Sequence, residues 1–301
     1  MMIKTTIYSL LLGLLVACSQ SRDARLLWSQ SLYQIGSQSS PKTTDLNGDG
    51  VLDIVMGAGT EEIALTDYGV VALDGKSGEL LWQQDATASI VGSATFYDVT
   101  GDGVDDIFIG GRNHNLMALN GTDGEFIWKY EYKFEDDSIL QYARYNFYNN
   151  TLVPDQNNDG YPDLLTVNGG NWDALPGSTD DRFPGVLMLF DLQSGNILAA
   201  DTMPDGQESY MSPLCFSQPD SEEAKVIFGT GGETAGGNLY QTTLADLKAR
   251  KLKNATVLAS EETHGFIAPP VIADITQDGY LDIIVASHAS QVHAINGNTL
   301  E

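Results

Sequence analysis

Cysteine is almost absent from this chain of 301 residues, which carries two, Cys18 and Cys215. Cys18 closes an N-terminal leader, so no internal disulfide is available to brace the fold. Cys215 reads as a small buried hydrophobe and not as a reactive thiol. Positive charge is scarce as well. Fifteen Lys and Arg stand against 41 Asp and Glu, a formal charge of −26, and that balance argues against nucleic acid and anionic membrane surfaces as partners. No apolar run after the leader is long enough to span a bilayer as a helix. Helical periodicity is nearly missing too: "LADLKARKL" (244–252) is at best one short helix. Histidines are few, and no Ser/His/Asp order or paired-carboxylate motif can be assigned. What remains is a chain with 42% hydrophobic residues, ample for one large domain or two ordinary ones.

The leader is informative. Lys4 precedes the apolar run "IYSLLLGLLVA", which ends in "LVAC", a signal-peptide pattern too short for a comfortable transmembrane helix. Leu15, Val16, Ala17 and Cys18 resemble the bacterial lipobox. That resemblance implies a lipoprotein signal peptide over 1–17, a lipidated Cys18, a short tether over 18–23, and an exported chain anchored to a bacterial membrane, the outer membrane or the cell surface. An ordinary cleaved signal peptide is the alternative.

The segment "DLNGDGVLD" (45–53) offers side-chain oxygens at alternate positions, from Asp45, Asn47, Asp49 and Asp53, around a glycine that permits a sharp bend. Hard cations such as Ca²⁺ take six to eight oxygens at about 2.3–2.6 Å. An EF-hand would continue to a Glu inside a helix, but Asp53 runs directly into "IVMGAG", a strand pattern. Similar loops recur as "DVTGDGVDD" (98–106), "DQNNDGYPD" (155–163) and "DITQDGYLD" (274–282), each opening an apolar run. A degenerate unit without the acidic loop, "MSPLCFSQPDSEEAKVIFGTGG" (211–232), fills the long interval between the third and fourth. Each unit adds a third strand and turn ("VVALDGKSG", "LMALNGTDG", "VLMLFDLQSG", "NLYQTTLADL", "QVHAINGNT"), and most a fourth strand ("ELLWQQD", "EFIWKYE", "NILAADT", "NATVLAS").

Four short strands repeating about every 50–60 residues are the signature of a β-propeller. The expected fold is all-β, a propeller of four-stranded antiparallel blades over residues 24–301. Five blades are expected, with "ARLLWSQ" (24–30) supplying the fourth strand that the fifth unit lacks and so closing the ring. A fragment of a larger, six- to eight-bladed propeller is the alternative. Trp28, Trp82 and Trp128 read as blade packing.

The acidic loops resemble FG-GAP (VCBS-type) repeats, the Ca²⁺-binding blades also found in integrin α-chains. "VVALDGKSGELLW" and "LMALNGTDGEFIW" resemble the repeats of pyrroloquinoline-quinone-type propellers. Together these resemblances cover nearly everything from residue 24 onward. The first implies a bound Ca²⁺ at each of four loops, held by side chains at positions one, three, five and nine and a backbone carbonyl at seven. The implied ligands are Asp45, Asn47, Asp49 and Asp53; Asp98, Thr100, Asp102 and Asp106; Asp155, Asn157, Asp159 and Asp163; and Asp274, Thr276, Asp278 and Asp282. Thr100 and Thr276 depart from the usual Asp or Asn and imply weaker sites. A metal-free Asx-turn is the alternative for each loop. The role expected of the metal is structural.

Connectivity predicts where function sits. Acidic loops and the short turns between third and fourth strands share one face of the disc. The other face receives the longer loops "GTEEIALTDYG" (59–69), "NGGNWDALPGSTDDRFPG" (168–185) and "GTGGETAGGN" (229–238), and the tyrosine-rich link 129–150. Long loops on a rigid scaffold commonly carry binding sites. Tyr142, Arg144, Tyr145 and Trp172 are candidate ligand contacts with Glu62 and Glu233, and packing of the link is the alternative. The expected function is non-catalytic binding of a glycan or a protein by an envelope-anchored propeller. The alternative is a carbohydrate-active or other surface enzyme using His114, His264 or His288 as base.

Overall fold

The computed structural model describes residues 26–301 apart from Pro176. The proposed signal peptide, the tether and Cys18 lie outside the described residues.

Five antiparallel sheets follow one another along the chain. The first contains β1 (Lys42–Thr44), β2 (Asp53–Gly57), β3 (Thr66–Leu73) and β4 (Leu80–Ala86). The second contains β5 (Thr95–Tyr97), β6 (Asp106–Gly110), β7 (Leu116–Leu119) and β8 (Phe126–Lys129). In the third, β10 (Thr151–Val153), β11 (Asp163–Gly169), β12 (Val186–Asp191) and β13 (Ile197–Thr202) form the meander, and the two-residue β9 (Asn146–Phe147) adds to β11. The fourth contains β14 (Leu214–Ser217), β15 (Ala224–Gly229), β16 (Gly237–Thr243) and β17 (Thr256–Glu261), and the fifth β18 (Val271–Ala273), β19 (Asp282–Ala286) and β20 (Val292–Ile295). The sequence signals became these elements for local reasons. Each acidic loop spans a hairpin whose ninth-position aspartate pairs with the last residue of the preceding strand: Thr44 with Asp53, Tyr97 with Asp106, Val153 with Asp163, Ala273 with Asp282. "LADLKARKL" yields a one-turn helix, α1 (Leu244–Lys248), capped by the Thr243 side chain, which accepts from the Asp246 amide.

Packing is blade against blade. Every residue of β6, β11 and β12 is buried, as for strands covered on both faces. Separate apolar clusters join the first sheet to the second, second to third, third to fourth and fourth to fifth. Trp82 and Trp128 each reach from a fourth strand into the next blade. Their indole N–H groups donate to the carbonyls of Gly121 and Leu192, both at 2.8 Å, and their rings lie over Gly124 and Gly195, where a Cβ would come within 2.6 Å of the indole. The positive φ of both glycines, 77° and 69°, adds a second reason for having no side chain there.

Among the described residues the expected closing strand is not formed. Residues 26–30 have no strand pairing, and the fifth sheet has three strands with β20 at its edge. Trp28 nevertheless docks on the first blade as Trp82 docks on the second, donating to the Gly75 carbonyl at 2.9 Å beside Gly78. Trp82 and Trp128 make the same contact from strands that are paired, so the indole contact alone does not set the ladder, which would need a backbone about 4.8 Å from β20. The outer face of the fifth sheet stays open, with Val271 63% and Val292 73% exposed. Among the described residues no apolar cluster joins fifth sheet to first.

Candidate binding site

The acidic loops are built on backbone amides. The first aspartate of each curls over the loop: Asp45 accepts from Gly48 and Gly50, Asp98 from Gly101 and Gly103, Asp155 from Asn158 and Gly160, Asp274 from Asp278 and Gly279. The fifth-position carboxylates of Asp49, Asp102, Asp159 and Asp278 accept from the amides two residues on. At position three, the Asn47 and Asn157 carbonyls accept from the Asp49 and Asp159 amides. The Thr100 hydroxyl lies 3.4 Å from Asp98, and Thr276 accepts a bond from Asn296. The ninth-position aspartates are the buried ones. Asp53, Asp106 and Asp282 are struts, with one oxygen taking amides of their own loop and the other the amide of Gly75, Gly121 or Gly297 in the neighbouring turn. All four ninth-position aspartates were expected on metal from sequence, and the strut role of these three was not legible there.

The third loop differs. Leu192 follows Asp191 where the other three acidic-loop blades have Gly75, Gly121 and Gly297, and Asp163 keeps one bond, from the Gln156 amide at 2.6 Å, while its Oδ1 is buried without a partner. Burial, followed by repulsion from Asp159, Asp155 and Asp191, pushes its carboxyl up to about 6. An orphaned oxygen among like charges is what a cation would satisfy, so the third loop's donor set fits Ca²⁺ best. In the other loops the buried oxygens already have amides. Among the described residues no cluster of three or more His, Cys, Asp or Glu converges as a ready-made metal cage.

The opposite face holds two neighbouring depressions. One, of about 470 Å³, is lined by His114, Tyr132, Arg144, Tyr145, Trp172, Asp173, Asp181 and Phe183 among others. The second, of about 440 Å³, is lined by Glu62, Arg112, Tyr148, Trp172, Arg182, Tyr210 and Glu233 among others. Trp172 and Asn171 border both, and Trp172 is 38% exposed. The candidate contacts named from sequence are thus distributed. Arg144, Tyr145 and Trp172 share the first depression, Glu62 and Glu233 the second. Tyr142 lines neither and stacks on Phe183, with ring centroids 6.2 Å apart. Tyr145 is buried, its ring stacked on Phe183 at 5.9 Å and its hydroxyl accepting from Arg144 at 3.0 Å. Burial raises its pKa. It is a wall, and Trp172 with Arg144 forms the accessible part.

The long loop carrying Trp172 is tied down from below. Arg182 donates to both oxygens of Glu208 at 3.2 and 3.1 Å and to the Tyr210 hydroxyl at 3.1 Å, and Glu208 is 1% exposed. Across the second depression Arg112 pairs with Glu62 at 2.8 Å. Arg182, Glu208, Phe183 and Tyr210 were not singled out from sequence. The signal that could have found them is one arginine in a loop otherwise rich in Gly, Asp and Asn. Of the histidines, His114 lines the first depression, where burial lowers its pKa. His264 and His288 lie elsewhere with rings 5.6 Å apart.

Comparison with solved structures gives the fold. The quinohemoprotein alcohol dehydrogenase of Comamonas testosteroni superposes with a TM-score of 0.57 at 12% identity, over 87% of this chain and 41% of that one. The PilY1 C-terminal domain of Pseudomonas aeruginosa gives 0.52 at 13% identity, over 86% and 70%. BamB of Moraxella catarrhalis gives 0.46 at 11%, over 86% and 58%. The chain therefore spans 58% and 41% of the lengths of that BamB and the dehydrogenase. No curated protein matches the chain. The family model described as outer membrane protein assembly factor BamB matches residues 5–202, over half of the chain and including the first three blades. With repeated four-stranded blades locked by tryptophans and a match of that extent, the chain belongs to the family of outer membrane protein assembly factor BamB.

Proposed function

We propose that this chain is a non-catalytic binding propeller of the bacterial cell envelope that holds a protein partner on its loop-rich face. The carrying observation is Trp172, an exposed indole standing between two depressions rimmed by Arg144 on one side and by the Arg112–Glu62 pair on the other. Aromatic and arginine anchors in concave, partly desolvated settings dominate protein interfaces. The family, described by an assembly factor, supports a protein ligand. A neutral glycan is the second reading, because Asp173 and Asp181 stand beside the indole in the first depression and a sugar ring presents both an apolar face and hydroxyls. Lipid anchoring through Cys18 belongs to the same proposal, as does Ca²⁺ in the acidic loops. The cation would be held by the first-, third-, fifth- and ninth-position side chains, foremost in the third loop, and would supply charge neutralisation there.

A photo-crosslinking residue replacing Trp172 in cells should capture a discrete envelope protein, and Arg144→Ala should weaken that capture. The same residue placed at Asn298, on the acidic-loop face, should not. Equal capture from both positions, or turnover of a polysaccharide abolished by His114→Ala, would overturn this reading.

A further inference from the structure

A third surface concavity is absorbed by neither the acidic loops nor the loop-rich face. It is a groove of about 530 Å³ bordered by the segment 129–134 from the second blade, by the third-blade turn and β13 over 194–200, and by the end of α1. Its distinguishing feature is charge. Lys129, Lys133, Lys248 and Arg250 all line it, with Glu131 the one acidic residue among the lining side chains. In a chain of 15 Lys and Arg and 41 Asp and Glu, four cations on one groove are a local reversal of sign. Elsewhere Arg112, Arg182 and Lys225 are taken up in ion pairs with Glu62, Glu208 and Glu223. None of the four groove cations forms a salt bridge among the described residues. Lys248 donates to the Gln156 carbonyl at 2.8 Å, and Lys129 lies 5.2 Å over the Phe126 ring. Asp137 is close enough to Arg250 for its own carboxyl to feel the charge, after two loop amides that lower it more.

The shape adds a second constraint. β13 pairs only with β12, so it is the edge strand of its sheet, and residues 197–200 run along the groove. Phe134, Ile197 and Leu198, all half-buried, present apolar surface there. An unpaired strand edge takes an extended segment through main-chain hydrogen bonds, and the flanking ammonium and guanidinium groups select carboxylates on it. We infer that the groove along β13 docks an extended acidic segment of a partner protein. A bilayer fits the same charges less well, because a planar surface does not enter the groove and the remaining charge of the chain repels anionic headgroups. The inference is independent of the ligand proposed for the loop-rich face.

The probe is a short fluorescein-labelled peptide alternating glutamate with valine, compared with its lysine-for-glutamate counterpart by fluorescence anisotropy at low salt. The glutamate peptide should bind and the lysine peptide should not. Lys133→Glu with Arg250→Glu, both exposed positions, should weaken binding by at least about tenfold, since charges flanking a docked segment set its attraction. Lys76→Glu, in the turn after β3 and away from the groove, should change it less than about twofold. Equal losses from the two sets would mean diffuse electrostatics and overturn the inference. So would capture of phosphatidylglycerol vesicles without the peptide, or self-association of the chain that the double reversal abolishes.

Discussion

A single indole shows how the repeat holds together. Trp82 is 7% exposed, donates to a carbonyl in the next blade and covers a glycine there. Trp82→Phe keeps most of the apolar contact and leaves the Gly121 carbonyl without that donor, at a cost of about 1–3 kcal/mol. Trp82→Ala also opens a cavity between the blades and should cost about 3–5 kcal/mol. Urea denaturation of the two variants would test that order. If both lose the same amount, the hydrogen bond carries no weight of its own. Asp163 makes the second residue-scale prediction. Its folded pKa, about 6, lies above the ordinary carboxylate value of about 3.9. The folded state therefore holds the proton more tightly. Stability from this group is present below about pH 4 and is lost as pH rises through about 6. In chelator, Asp163→Asn should flatten that slope and raise the melting temperature at pH 8. With millimolar Ca²⁺ the order should reverse, because a bound cation needs the carboxylate. Unchanged melting of the native chain between chelator and Ca²⁺ would remove the metal from the proposed function.

At the scale of elements, each acidic loop and the turn beyond the third strand form one unit. Asn47 donates to Asp74 at 3.0 Å, Asn157 to Asp191 at 2.6 Å, and Asn296 to Asp278 at 3.1 Å. The loop carrying Trp172 depends on a different brace. Glu208→Gln would leave Arg182, whose side chain is 12% exposed, facing a neutral amide in a setting largely closed to water. Breaking such a buried pair costs about 3–5 kcal/mol. Hydrogen exchange should then rise over 171–185 ahead of the β11 and β12 amides. Uniform acceleration across the third blade would mean that the pair supports the sheet and not the loop. The repeat of loop, strand and turn was legible in sequence because every piece of it is local. The Arg182–Glu208 brace was not, because it joins residues in different segments and repeats in no other blade.

The whole molecule is strongly acidic, with a formal charge of −26, and self-repulsion opposes the compact state. In chelator, raising NaCl from about 20 to 500 mM should raise the melting temperature, with much of the gain complete by about 0.15 M, where the Debye length is about 8 Å. A flat or falling melting curve would show that local hydrogen bonds already neutralise the loops. At this scale sequence expectation and structure part over the ring. Repeat spacing and the "LLW" segment predicted a closing strand, and Trp28 does take the docking position on the first blade that such a segment would use. Among the described residues, no backbone pairing joins that segment to the outer edge of β20.

Sequence alone determined the blades. Apolar strands, acidic hairpins with Gly at the bend, and a tryptophan aimed at the next turn are short-range patterns, and each acts on neighbours a few residues or one repeat away. Tertiary structure alone decided which aromatics remain accessible. Tyr145 and Trp172 carry the same expectation in sequence, yet the first is 6% exposed against Phe183 and the second 38% exposed between two depressions. It also decided that the outer edge of β20 has no partner strand among the described residues. That outcome depends on how far each sheet turns relative to the last, which accumulates over four packed interfaces and is written in no single repeat.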